Sequence, residues 1–151
     1  SFIKKIEPFA FNECLSIRTF ENSSDSNLQI IDENAFDNSS INKFIVPQRL
    51  TTINKKAFEN CFHLKFITIS NDSNLQFIGD YAFSYSKIES IYIPPLVTHI
   101  GKKICIGCKF LQIIEIDANL ELPSLDKQMF ITSTDAIFMI HVKLSNRLNL
   151  V

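Results

Sequence analysis

The chain has 151 residues with 15 basic and 16 acidic side chains, for a formal net charge of -1. That length is enough for one domain with a core. Its 46% hydrophobic and 21% charged content excludes a disordered chain, and the lack of a basic stripe argues against a nucleic-acid partner. Only 3 glycines occur, in neither a GxGxxG nor a GxxxxGK arrangement, so a phosphate cradle is excluded. No apolar run is long enough to span a bilayer, so no membrane insertion by this segment is expected. The sequence starts at Ser1 with no basic-then-apolar leader, and residues 1–151 read as a single domain from a longer protein.

Along the chain one pattern returns. The first repeat opens at Ile6 and carries Ala10-Phe11, a small residue at Cys14, then Ile17 and Phe20. A polar loop follows, Asn22 to Asn27. The second runs from Ile31 through Ala35-Phe36, Ser39 and Ile41 to Phe44-Ile45-Val46-Pro47. The third places Ala57-Phe58, Cys61, Leu64 and Ile67-Thr68-Ile69 in the same order, and the fourth Ala82-Phe83, Ser86, Ile88 and Ile91-Tyr92-Ile93-Pro94. In the fifth, Ile104-Cys105 replaces Ala-Phe while Cys108, Leu111, Ile114 and Ile116 keep their places. The sixth is reduced to Met129-Phe130, Phe138 and Ile140. From Ala10 to Met129 the steps are 25, 22, 25, 22 and 25 residues, so two repeats make a 47-residue unit. The longer step has an extra residue between the small slot and the next apolar one, Cys61 to Leu64 against Ser39 to Ile41.

The Ile-x-Ile step has period two and β-branched side chains, which predicts a short strand. Pro47 and Pro94 end such strands because Pro has no amide hydrogen for a ladder. A Leu-x-x-Ile step (Leu50 to Ile53, Leu75 to Ile78) then leads to the Ala-Phe slot, where Ala permits close backbone approach and Phe fills the centre. One repeat cannot bury that Phe alone, but neighbours above and below can. The expectation is a β-rich solenoid of about six turns with a parallel strand ladder on one side, and tight turns or short helical pieces on the other.

The runs Ile53-x-x-x-Ala57-Phe58-x-x-Cys61-x-x-Leu64-x-x-Ile67-x-Ile69 and Ala82-Phe83-x-x-Ser86-x-Ile88-x-x-Ile91-x-Ile93-Pro94 resemble the BspA-type leucine-rich repeat. The resemblance covers Ile6 to Ile140. It implies a right-handed leucine-rich-repeat solenoid and a surface protein of bacteria or anaerobic protozoa, tied to adhesion to host cells or matrix. The family carries no fixed binding residues to transfer.

Little points to chemistry. Cys105-x-x-Cys108 is compatible with a redox pair or half a zinc site, but Cys14, Cys61 and Cys108 occupy the slot that Ser39 and Ser86 fill in alternate repeats. Residues two repeats apart lie roughly 9–10 Å apart along the stack, too far for a disulfide. Cys105 takes the Phe slot as a small core residue, and no second CxxC completes a zinc tetrad. His63, His99 and His141 fall in different slots, and the acids are scattered singly. The reading is therefore no enzyme, no metal and no cofactor. Three Asn-x-Ser sequons, at Asn22, Asn38 and Asn71, are candidate glycosylation sites, conditional on secretion in a eukaryote.

By parity, the outward strand face carries Thr19 and Glu21, Lys43 and Ile45, Phe66 and Thr68, Ser90 and Tyr92, Ile113 and Glu115, Ile137 and Met139. A solvated face would be mostly polar, whereas apolar side chains rimmed by charge mark a protein-binding patch. Strand propensity alone, or cover by another part of the parent, is the plainer account. The expected partner contacts are Ile45, Phe66, Thr68, Tyr92, Ile113, Glu115 and Met139. The expected function is protein recognition by an adhesive ectodomain, at a cell surface or secreted, binding a host-cell or matrix protein. An intracellular scaffold with the same fold is the alternative.

Overall fold

In a computed structural model, which describes residues 2–21, 26–121, 130 and 139–143, the chain is a parallel-strand solenoid. Five coils are described, together with one strand of a sixth. Each coil has three sides, and no helix forms among the described residues.

The first side is a continuous five-stranded ladder of two-residue strands. In spatial order these are β1 (Lys5–Ile6), β2 (Ile30–Ile31), β4 (Thr52–Ile53), β6 (Phe77–Ile78) and β8 (His99–Ile100). Ile6, Ile31, Ile53, Ile78 and Ile100 pair in register and all point into the core. The end of the Leu-x-x-Ile step, expected only to lead to the Ala-Phe slot, is thus a strand. Two-residue strands are too short to display a period, and the outward row of Lys5, Ile30, Thr52, Phe77 and His99 shares no chemistry.

The second side is a wall of tight turns around the Ala-Phe pairs. Its amides alternate in use. In the second coil Ala35 and Ser39 donate to Asp32 and Phe36 at 3.2 and 3.0 Å, closing local turns, while Asn34, Phe36 and Asn38 donate to Lys55, Ala57 and Glu59 of the third coil at 3.2, 2.8 and 2.9 Å. The same triplet of bonds joins the first coil to the second, the third to the fourth and the fourth to the fifth. The third residue of such a turn needs a positive φ. Asn34 and Asn38 sit at 56° and 55°, and Asn tolerates that region. Lys56, Tyr81, Tyr85 and Lys103 are forced into it as well, and only Gly107 is suited to it by having no Cβ.

The third side is the ladder expected from the Ile-x-Ile runs, and it is interrupted. β3 (Lys43–Ile45) pairs with β5 (Phe66–Thr68), and Thr19 bridges to Lys43. Separately, β7 (Ser90–Ile93), β9 (Ile113–Asp117) and β10 (Met139–Lys143) form a second parallel sheet. The last register differs from expectation: Met139 pairs with Ile113 and His141 with Glu115, so the sixth strand is slipped by two residues. The slip keeps parity, which is why alternation could not detect it.

The core is a stack of rings. Phe11, Phe36, Phe58 and Phe83 form a column with centroids 5.0, 5.0 and 5.7 Å apart and planes within 15° of parallel. Phe20 and Phe44, from the third side, pack against it at 5.4 and 5.8 Å from Phe36. Cys105 stands where the column ends and is fully buried. The long loops share one device: the Oγ of buried Ser26 and Ser73 accepts the amide of Leu28 and Leu75, each at 3.3 Å. That bond accounts for the Ser-x-Leu part of the repeated Asp-Ser-Asn-Leu-Gln run.

Candidate recognition surface

Ile45 and Phe66 lie on adjacent paired strands and are 45% and 50% exposed. Thr68, opposite Ile45, is exposed too. Lys43 stands opposite Phe66, and the Lys65 ammonium lies 5.2 Å from the Phe66 ring centroid while pairing with Glu89 at 3.0 Å. Beside Ile45 a depression of about 430 Å³ is lined by Thr19, Phe20, Glu21, Lys43 and Ile45. Exposed apolar side chains, a concavity and charges of both signs therefore meet on the first three coils.

Beyond the interruption the face closes over Tyr92. Tyr92 is only 8% exposed, and its phenol donates to Asp117 Oδ2 at 2.8 Å. Burial, with Asp117 next, pushes that phenol above its ordinary ionisation range. Tyr92 is thus removed from the expected contact patch: parity gave its direction, but a carboxylate at the end of β9 covers it. Asp117, itself buried, also accepts from the Asn119 amide at 2.9 Å and side chain at 3.0 Å. Ile113 and Glu115 are half-buried. Met139 pairs in register with Ile113, and Ile137 lies outside the described residues.

A second exposed apolar set was missed from sequence. Leu15, Phe62 and Phe110 are more than half exposed, on the first, third and fifth coils. Each sits in the longer step between the small slot and the next core residue, so the extra residue pushes one apolar side chain outward. The runs Cys14-Leu15-Ser16-Ile17, Cys61-Phe62-His63-Leu64 and Cys108-Lys109-Phe110-Leu111 carried that signal.

Cys61, Cys105 and Cys108 are part of the core packing, and Cys14 is half-buried. Cys61 donates to the Phe36 carbonyl at 3.0 Å and contacts Ser39 Oγ at 3.6 Å; Cys108 repeats this with Phe83 at 3.1 Å and Ser86 at 3.4 Å. Burial pushes the Cys61 thiol up to about 12. A hydrogen bond with Cys108, then burial, holds Cys105 well above the ordinary thiol range. Among the described residues no cluster of three or more His, Cys, Asp or Glu side chains is placed to hold a metal ion. Of the sequons, Asn71 is in an exposed turn, and Asn38 is half-buried within the turn wall next to buried Ser39 and Ser40. Asn22 lies outside the described residues.

Residues 1–140 match the model of the BspA type leucine rich repeat region, in six copies. A leucine-rich repeat protein from Bacteroides ovatus is similar in fold, with a TM-score of 0.64 and 22% identity over 93% of this chain and 46% of that one. A leucine rich cell surface protein from Faecalibacterium prausnitzii superposes with a TM-score of 0.54 and 20% identity over 76% of this chain and 36% of that one. The chain thus spans less than half the length of either. Comparison with curated protein sequences gave no match.

Proposed function

Because the chain belongs to the BspA-type leucine-rich-repeat family, whose fold is a protein-interaction module, we propose that it serves as the adhesive part of a cell-surface protein. It engages a host-cell or matrix protein through the open part of its strand face. Ile45 and Phe66 are the apolar anchors, Thr68 supplies a polar contact, and Lys43, Lys65 and Glu89 form the charged rim. Ile113, Glu115 and Met139 extend the footprint beyond the interruption. The observation that carries this reading is the pair Ile45 and Phe66, half exposed on adjacent strands beside a depression that a partner side chain can enter. The cell-surface description of one structural neighbour supports the location.

The test is binding of the folded domain to host-cell layers and to matrix-coated wells. Ile45→Asp with Phe66→Asp is expected to weaken saturable binding at least ~100-fold, as two lost anchors would, while thermal unfolding stays cooperative. Binding that survives the double substitution removes the strand face from consideration.

A further inference from the structure

We propose that Cys105 and Cys108 are a dithiol that a small-molecule disulfide oxidises to an intramolecular disulfide, clamping the fifth coil. Both side chains are buried in the core, and both are free thiols. They stand at the two ends of one tight turn, in which the Cys108 amide donates to the Cys105 carbonyl at 3.1 Å. Such a turn keeps its end Cα atoms within about 7 Å, and a disulfide needs them about 4.4–6.8 Å apart. Gly107 holds the third position of the turn at a φ of 74°, and a Cβ there would meet the Tyr85 ring at 2.3 Å, so the turn is seated closely against the fourth coil. The two thiols share a hydrogen bond.

The pair is particular to the fifth coil. Cys14 and Cys61 occupy the same slot as Cys108, but the residue three before each is Phe11 or Phe58. Cys61 has only the Phe36 carbonyl and Ser39 Oγ as partners for its sulfur, at 3.0 and 3.6 Å. Closure in the fifth coil removes one such bond, from Cys108 to the Phe83 carbonyl at 3.1 Å. That carbonyl keeps the Ser86 amide at 3.2 Å, so no buried acceptor is orphaned. Ser86 Oγ, 3.4 Å from the Cys108 sulfur, can still donate to it.

The reaction is a thiol–disulfide exchange. The Cys108 thiolate, favoured by hydrogen bonds from Cys105 and Ser86, attacks one sulfur of the reagent disulfide. A mixed disulfide forms and one reagent thiolate leaves. Cys105 then loses its proton, and its sulfur attacks Cys108 Sγ, expelling the second reagent thiolate. The protein thiols lose two electrons between them, and the reagent becomes two thiols that take up both protons. Burial confines the first attack to moments when the fifth coil opens. The Tyr81, Phe83 and Tyr85 amides donate to Lys102, Ile104 and Ile106 of this coil at 3.0, 2.9 and 2.7 Å. A covalent tie across the turn that follows resists the opening that breaks those bonds.

The experiment incubates the reduced, folded protein with oxidised glutathione, quenches with acid and maps the thiols. Trypsin releases residues 104–109 as one peptide carrying both cysteines. The expected product is that peptide about 2 Da lighter, with Cys14 and Cys61 still open to alkylation. Hydrogen exchange at the Tyr81, Phe83 and Tyr85 amides should slow about fivefold or more in the closed form. Cys105→Ser should instead accumulate a glutathione adduct at Cys108, because no second sulfur resolves it. A lasting adduct at Cys108 in the unsubstituted chain, a bond to Cys14 or Cys61, or an unchanged mass overturns the proposal. Closure that leaves the three amides exchanging as before overturns it as well, because the bond then clamps nothing. None of these readouts depends on the strand-face partner.

Discussion

The turn wall and the Ile-x-Ile ladder are built from the same coils, yet one is uniform and the other is broken. In the wall, three amides per coil reach three carbonyls of the next without exception through the first five coils. On the ladder side, pairing stops between β5 and β7, which nevertheless pack side by side. The wall holds the aromatic column, and a misplaced ring there leaves a void with nothing to fill it. The ladder side bears outward residues that the core does not constrain: exposed Ile45 and Phe66 on one stretch, Tyr92 folded down onto Asp117 on the next. Register is enforced where neighbouring coils share buried rings, and it is relaxed where one face meets solvent. A recognition surface can vary on the second kind of side without loss of the fold.

The sharpest way to break this comparison is to remove one ring from each region. Phe58 is fully buried and touches Phe36, Phe44 and Phe83 at centroid distances of 5.0, 5.0 and 5.7 Å. Phe58→Ala is expected to cost about 3–5 kcal/mol of unfolding free energy in a urea titration. Phe66→Ala, on the exposed face, should stay within about 0.5 kcal/mol of the parent. Comparable losses would mean that the strand face is structural. Next in size is the close approach behind the short ladder. A Cβ on Gly79 would lie 2.4 Å from the Lys55 nitrogen, a backbone atom that moves only if the coil moves. Gly79→Ala should therefore cost about 2–3 kcal/mol, read as a lower urea midpoint with unchanged slope.

These differences also mark what could be read beforehand. The Ala-Phe column was legible because Phe36, Phe58 and Phe83 recur at a fixed spacing and only stacking can bury them. The two-residue ladder was not, since a strand shorter than one full alternation leaves no period in the sequence. On the candidate surface, parity placed Ile45, Phe66 and Tyr92 outward. Exposure is a property of what lies next to a side chain, however, and the cover over Tyr92 comes from Asp117 in the following coil. The slip of β10 has the same root: Ile137, Met139 and His141 share one parity, so two registers fit the pattern equally well.

The smallest effect concerns the slot where Cys and Ser alternate. At neutral pH Cys61→Ser should change stability by less than about 1 kcal/mol, because a hydroxyl fits the slot and can donate to the Phe36 carbonyl as the thiol does. The difference appears in alkali. Burial raises the folded thiol from 9.0 to about 12, so the folded state favours the neutral form while the unfolded chain ionises near its ordinary value. The stabilisation this gives is complete below about pH 9 and is lost progressively as pH rises through the folded value. The raised Tyr92 phenol acts with the same sign, beginning near its ordinary value of 10.0. Urea midpoints in reductant should therefore fall between pH 8 and about pH 10.5, and they should fall less for Cys61→Ser. Tyr92, Cys105 and Cys108 are common to both proteins, so the difference between the two curves isolates Cys61. Parallel curves would mean that water reaches this thiol, and that the wall is looser at the third coil than its bonds imply.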